Sequence, residues 1–386
     1  MKASTDRAAP PSGEVRRVLM TTDTVGGVWT YALELSRALA SRGVSVTLAT
    51  MGPPLTEAQW AEARIVPGLG VEQSTWQLEW MDDPWEDVKA AGDWLLELES
   101  RVQPDVVHLN GYCHGALPWK RKPLIVGHSC VLSWWEAVKG EQAPERYSRY
   151  RWEVTRGLRA AGHVVAPSTA MLQALVTHYG PLRSAGVIPN ARRPEDFPPG
   201  NVREPLILAV GRLWDEAKNV SMLESVAPRL DWPVLVAGDM RHPSGGEVRS
   251  RCVRMLGRLS PRELAGHMGR ASIFALPARY EPFGLSALEA ALAGCALVLG
   301  DIPSLREIWE DAAVFVPPDD TDMLMRALRR LVTEPVLCNR MSTLARTRAL
   351  RFSPDRQADA YLAAYVDLDR ASRAATPAPP PLAKAT

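Results

Sequence analysis

In the stretch RYEPFGLSALEAALAGCALVLGD, residues 279 to 301, Glu281 and Glu289 stand eight positions apart across a Pro-Phe-Gly-Leu turn. Paired carboxylates can do acid/base work, so their separation decides what these two are for. The pattern predicts a helix that begins around Gly284 to Ser286 and stops at Gly294, a glycine just past a compact apolar run. Eight helical residues rise about 12 Å and turn about 80° past whole turns, so the two carboxylates cannot meet. A hydrolytic pair needs its carboxyl groups about 5 to 9.5 Å apart, which makes acid/base partnership the weaker reading.

The spacing suits a long ligand with hydroxyls at both ends and an anionic middle. The middle would lie at the helix N-terminus, where free N–H groups of Gly284, Leu285 and Ser286 and the positive end of the dipole favour pyrophosphate. A nucleoside diphosphate sugar has this shape: sugar, two phosphates, ribose. Upstream, GRLWDEAKN puts Arg212 just past the apolar run LILAV and Lys218 six residues later. A guanidinium fork and an ammonium point charge can neutralise charge building on a departing diphosphate. The plain alternative stays open at this point: two helix-surface carboxylates and a solvated cationic pair on a loop.

Residues so far apart in the chain need a scaffold to bring them together. Short β-rich runs alternate with helical patterns throughout, the signature of βαβ units and parallel sheets, so the fold class is α/β. In the first half the strands read RRVLMTT, VSVTLAT, DVVHLNG, PLIVGHS, HVVAPS and AGVIPN; in the second, LILAVGR, PVLVAGD, VRMLGR, SIFALPA, CALVLGD and AAVFVPP. Each half is expected to be a doubly wound sheet. The Pro-rich stretch NARRPEDFPPGNVREP interrupts the alternation and predicts a linker near residues 190 to 205. Open α/β sheets bind ligands beyond the carboxyl ends of their strands, so two facing sheets create an interdomain cleft. Asp23 with Gly26 and Gly27, His108 with Asn110, His128 with Ser129, Arg212, and Asp239 all fall at such ends.

Composition narrows the partners. A chain of 386 residues with 46% hydrophobic residues can bury two cores, and a formal net charge of +1 gives no electrostatic footprint for nucleic acid. No run approaches the roughly 20 apolar residues of a membrane helix, and MKASTDRAAPPSGE lacks the apolar core of a signal peptide, so a cytoplasmic location is expected. Cys113, Cys130, Cys252, Cys295 and Cys338 form no CxxC pair and read as reduced core thiols.

The segments E-PFGLSAL-E, GRLWDEAKN and VGGVWTYALELSRAL, in their order, resemble the retaining glycosyltransferases of family four (glycosyl transferases group 1), which have the GT-B fold of two Rossmann-like domains. The resemblance runs from about Arg16 to about Leu368. It implies that Arg212 and Lys218 bind the diphosphate, that Glu281 holds hydroxyls of the transferred sugar and Glu289 the ribose, and that His128 lies beside the anomeric carbon. Arg212, Lys218, Glu281 and His128 are then the catalytic set. Gly26 and Gly27 match the family's glycine loop, and Phe283, Gly284, Leu285 and Ser286 complete the donor site. His108, with Asn110 and Trp134, falls on the acceptor side. The implied division is a disordered tail at 1–14, an acceptor domain at 15–195, a donor domain at 196–355, a helix crossing back at 356–373 and a second disordered tail at 374–386.

Two departures from the family pattern stand out. His128 is followed by Ser129 where the family often has Asp, which bears on sugar selectivity or acceptor binding. Pro189-Asn190-Ala191 replaces a frequent Pro-Asn-Gly, which bears on the hinge. No Asp-x-Asp pair sits at a strand end; Asp82-Asp83 lies in a loop or helix start, so no catalytic metal and no cofactor are expected. His114, His163, His178, His242 and His267 are assigned no role.

Ten of the thirteen tryptophans fall before residue 153, among them Trp76, Trp80, Trp85, Trp134, Trp135 and Trp152. Indoles can stack on sugar faces, but packing is the favoured reading. ERYSRYRWEVTRGLR carries Arg146, Arg149, Arg151, Arg156 and Arg159, and such a helix can rest on an anionic membrane. Glu153, four residues after Arg149, predicts intrahelical pairing instead, so a solvated face is favoured over peripheral membrane contact.

The expected function is transfer of a hexosyl unit from a UDP-, GDP- or ADP-linked sugar to a hydroxyl acceptor, a saccharide or small metabolite. The alternative is a non-catalytic nucleotide-sugar-binding protein of the same fold. A phosphorylase-like enzyme needs a pyridoxal-binding lysine context and a longer chain, and a nicotinamide dehydrogenase needs a G-x-G-x-x-G that TTDTVGGVW does not supply. Base, sugar, acceptor and oligomeric state stay open on sequence.

Overall fold

The computed structural model describes residues 15–212, 214–239 and 250–374. The tails read as disordered lie outside the described residues except for Ala374, which ends a helix, and His242 lies outside them too.

Seven parallel strands form the first sheet: β1 (Arg17–Asp23), β2 (Ser45–Met51), β3 (Leu69–Gln73), β4 (Val106–Leu109), β5 (Leu124–Val126), β6 (His163–Ala166) and β7 (Ala185–Val187). Six form the second: β8 (Glu204–Val210), β9 (Val234–Ala237), β10 (Arg254–Gly257), β11 (Ala271–Leu276), β12 (Ala296–Gly300) and β13 (Val314–Val316). The helices of the first half are α1 (Gly27–Ala40), α2 (Glu57–Arg64), α3 (Trp85–Val102), α4 (Val131–Lys139), α5 (Ser148–Ala160) and α6 (Thr169–Tyr179). Those that follow are α7 (Val220–Val226), α8 (Pro261–Arg270), α9 (Leu285–Leu292), α10 (Pro303–Trp309), α11 (Thr321–Thr333), α12 (Pro335–Ala349) and α13 (Pro354–Ala374).

Strands covered by helices on both faces need continuous apolar runs, and every residue of β4, β5, β9 and β12 is buried. Strand β3 is the one missed from sequence. LGVEQ carries a glycine and a charge, lies at the sheet edge and buries no residue fully, so it has no apolar run to betray it.

The strand orders are β3-β2-β1-β4-β5-β6-β7 and β10-β9-β8-β11-β12-β13. Each order reverses once, between β1 and β4 in the first sheet and between β8 and β11 in the second. A crevice opens beyond the carboxyl ends at each reversal. These are two Rossmann-like sheets in an α/β architecture.

Helix α13 returns from the second half to the first. Its Ala358, Tyr361, Tyr365 and Leu368 are buried in one core with Tyr31, Leu35 and Leu39 of α1. Arg42 holds its start through Asp355 at 3.2 Å and Asp359 at 2.7 Å.

Two local expectations fail. Cys252 is exposed, while the other four cysteines are buried free thiols. Glu153 pairs with Arg156 at 2.7 Å rather than with Arg149, whose guanidinium lies 4.8 Å from the Trp85 ring centre. Arg149 lies over the indole face, and the half-buried Glu153 carboxylate is taken by Arg156 instead.

Candidate active site between the two sheets

Both reversals put chemistry-bearing residues at the cleft. From the first sheet come Asp23 and the glycine loop after β1, and Asn110 after β4. From the second come Arg212 after β8 and the Arg279–Gly284 segment after β11.

On the second side, Lys218 Nζ lies 2.5 Å from Glu281 Oε2. Glu281 Oε1 accepts the Gly284 N–H at 3.0 Å, so that amide is engaged by the carboxylate and not free as expected. An anion arriving at this helix start must displace or share Glu281. Gly284 sits at φ +91°, which side chains rarely adopt, and this turn aims the start of α9 at the cleft. Arg212 pairs with Asp215 at 2.8 Å and lies 5.0 Å from the Trp214 ring centre. Phe283 does not reach the cleft: it is 2% exposed and packs edge-on against Phe352. Only its backbone can serve a ligand.

Across the cleft, Gly26 has φ +100° and starts α1. Gly27 meets the first residue of α9 so closely that a Cβ there would stand 3.3 Å from Leu285 Cδ1. Asp23 accepts the Val25 N–H at 3.1 Å. Burial pushes its carboxyl up to about 7 against the pull of that amide and of Arg212.

His128 Nε2 lies 2.8 Å from Asn110 Oδ1. The amide orientation of Asn110 is fixed because its Nδ2 donates to the Thr21 carbonyl at 2.7 Å, so Oδ1 is the acceptor and His128 carries its proton on Nε2. Burial lowers His128 to about 3, leaving a neutral imidazole edge-on to Tyr31 at 4.5 Å. His108 departs from its expected place on the acceptor side. It is fully buried, bonded to the Tyr365 hydroxyl of α13 at 2.6 Å and to Asn110 at 3.2 Å, and burial lowers it to about 3. It supports Asn110 from behind rather than meeting a ligand.

Several groups missed from sequence stitch the two sides together. The Tyr280 hydroxyl, one residue before Glu281, accepts the Cys130 N–H at 3.2 Å and shares a hydrogen bond with Ser133 Oγ at 2.9 Å. Ser168 donates to the Pro282 carbonyl at 2.7 Å. Glu307 of α10 accepts the N–H groups of Thr169 and Ala170 at 2.7 and 2.9 Å, capping α6 from the other half. Trp134 donates from Nε1 to Asp215 at 3.3 Å, and Lys139 pairs with Glu216 at 2.7 Å. Trp134, expected on the acceptor side, is not one of the missed groups; its indole N–H braces the loop of Arg212 and Lys218. A lone Tyr or Ser gives no periodic signal, which is why these contacts were invisible in sequence.

Glu281 and Glu289 part company, as their spacing required. Glu289 is 9% exposed and faces the segment that links the two sheets, where Arg192 Nε lies 2.9 Å away. The tryptophans form no single platform: Trp29 is buried, Trp152 is 59% exposed, and Trp134 and Trp135 meet at a tilt of 58° with ring centres 5.9 Å apart. Among the described residues no three His, Cys, Asp or Glu side chains are grouped to hold a metal, and no helix is long and apolar enough to cross a membrane.

A family profile described as Glycosyltransferase Family 4 matches residues 25–196, and one described as Glycosyl transferases group 1 matches residues 204–334. The chain is 28% identical over 410 residues to a D-inositol 3-phosphate glycosyltransferase of Geodermatophilus obscurus, covering 91% of this chain and 88% of that protein. It is 27% identical over 371 residues to a glycogen synthase of Mycobacterium tuberculosis, covering 84% and 86%. Its fold matches sucrose-phosphate synthase from Thermosynechococcus elongatus with a TM-score of 0.76 at 19% identity, over 92% of this chain and all of that one. It matches Anabaena HepE, solved with UDP-glucose, with a TM-score of 0.72 at 16% identity, over 91% and 99%.

Proposed function

Because the chain belongs to the glycosyltransferases of family 4 and group 1, with the GT-B fold, we propose that it moves a hexosyl unit from a nucleoside diphosphate sugar to a hydroxyl acceptor with retention of anomeric configuration. The observation that carries this reading is the Lys218–Glu281 pair at the start of α9, facing the glycine loop and the His128–Asn110 pair across the cleft. An anionic diphosphate placed at that start meets the helix dipole, Lys218 and Arg212 together. Lys218 can then turn from Glu281 to the phosphate, which frees the Glu281 carboxylate for sugar hydroxyls.

On this reading the bond between the anomeric carbon and the β-phosphate oxygen breaks as the acceptor oxygen bonds to the same face. The acceptor proton passes to the departing phosphate oxygen. Arg212, Lys218 and the amides of Leu285 and Ser286 stabilise the diphosphate, and neutral His128 accepts or donates no net charge but fixes the sugar through its ring edge. Two cationic side chains and a helix start supply the leaving-group stabilisation that a metal gives elsewhere, so the reaction is proposed as metal-independent.

The donor is UDP-, GDP- or ADP-linked, and the acceptor is a saccharide or small metabolite. The first half, to about residue 195, takes the acceptor; residues 196–355 take the donor; 356–373 tie the two. The names of the relatives, an inositol phosphate glycosyltransferase, a glycogen synthase and a sucrose-phosphate synthase, support polyhydroxylated acceptors. Five unpaired thiols suit the reducing cytoplasm. Proton NMR of the transfer product tests the reading: an α-linked donor should give an α-linked product. A β-linked product would overturn the retaining assignment.

A further inference from the structure

The link between the sheets and the first helix hold a partly buried set of charges with no part in the chemistry above. Glu34 of α1 is 4% exposed, and three guanidiniums converge on its Oε1: Arg37 at 2.7 Å, and Arg192 and Arg193 at 3.7 Å each. Arg192 also reaches the other way, to Glu289 at 2.9 Å, while lying 4.9 Å from the Phe197 ring centre. Arg193 is held by Asp196 at 2.8 Å. Carboxylates Glu34, Asp196 and Glu289 thus face guanidiniums Arg37, Arg192 and Arg193, three groups of each kind. A cavity of about 700 Å³ opens beside it, between α1, the hinge and α8.

We propose that Arg192 is a positioning residue for the nucleoside end of the donor site: it keeps Glu289 ionised and aimed at the ribose hydroxyls, and through Glu34 it ties that state to the first half of the chain. The proposal rests on the reading of Glu289 as the ribose ligand. An ionised carboxylate can accept from both vicinal hydroxyls, whereas a protonated one gives up part of that capacity.

A carboxylate this enclosed takes up a proton unless a cation faces it. Burial pushes Glu289 up, Arg192 pulls it back, and Glu34 and Asp196 push it up again. Arg192 and Glu34 therefore act on the same carboxylate with opposite sign. Arg192 belongs to the hinge, Glu34 to α1 and Glu289 to α9, so the bond network spans both halves and is sensitive to the angle between them.

The test is calorimetric binding of UDP, GDP and ADP to the full chain, as wild type, Arg192→Met, Arg192→Lys and Glu34→Gln, between about pH 5.5 and about pH 8.5. For the diphosphate that the wild type binds, Arg192→Met should weaken Kd by about tenfold at the acid end and recover most of it at the alkaline end. Arg192→Lys should restore binding, and Glu34→Gln should hold its affinity to lower pH than the wild type. Opposite displacement of the two pH profiles is what a merely structural role cannot produce. Equal weakening of Arg192→Met and Glu34→Gln at every pH, or an Arg192→Met Kd within twofold of wild type, overturns the proposal while leaving the ribose reading intact. A wild type that binds none of the three overturns both.

Discussion

Replacing Tyr280 by Phe removes one oxygen and keeps the ring, yet it should slow the enzyme. That oxygen accepts the Cys130 N–H at 3.2 Å and shares a hydrogen bond with Ser133 at 2.9 Å. Ser133 keeps its bond to the Cys130 carbonyl at 3.2 Å, but the Cys130 N–H is left without a partner in the closed cleft. When the halves separate, water satisfies it, so the penalty falls on the closed state alone. An orphaned buried donor costs about 1 to 3 kcal/mol, which lowers the closed-to-open ratio by about 5- to about 150-fold, and the closed population by as much where that state is the minor one. Steady-state kinetics should show kcat falling within that range. The Kd for the nucleoside diphosphate should move less than about threefold, because Arg212, Lys218 and the start of α9 all lie on one side. Ser133→Ala should be non-additive with Tyr280→Phe in a double-mutant cycle. A Tyr280→Phe variant with wild-type kcat, or one whose whole defect is in donor Kd, would refute the argument that this hydroxyl aligns the two halves.

Two further outcomes are expected. Glu281→Ala strips the sugar ligand and leaves Lys218 unpaired, so turnover should drop about a hundredfold or more while Tm falls only a few degrees; comparable transfer rates in variant and wild type would sink the assignment. The Asp23 carboxyl is raised from 3.8 to about 7, so the stability it contributes is whole below 3.8 and is lost as pH rises through 7. Asp23→Asn cannot ionise, and its Tm advantage over the wild type should widen between about pH 4 and about pH 7.5; a constant difference would contradict the shift.

Much of the architecture was legible because parallel strands buried on both faces must be spelled as apolar runs, and runs such as PVLVAGD and CALVLGD have no other use. The edge strand β3 was not, since LGVEQ is half-exposed and needs no such run. In the site, charge placed beside Gly and strand ends singles out Glu281, Glu289, Lys218 and Arg212, but their roles rest on the family resemblance; the structure adds that Lys218 meets Glu281 and that Glu289 meets Arg192. His108 was misread because a histidine closing an apolar strand looks the same whether it points at a ligand or into Tyr31 and Tyr365; only the return of α13 decides. The Arg192–Glu289 contact spans nearly a hundred positions and two sheets, and no local pattern encodes it. Tyr280 carries no signal of its own in the sequence, because its partners Cys130 and Ser133 lie in the other half.

The most direct test of the account is a screen of the purified wild type and Glu281→Ala against UDP-, GDP- and ADP-linked hexoses, following thermal shift and slow release of nucleoside diphosphate together. One donor should stabilise the wild type and be slowly cleaved by it, with cleavage lost in the variant. No shift and no cleavage with any donor up to about millimolar concentration would contradict it, leaving a glycosyltransferase fold without the activity.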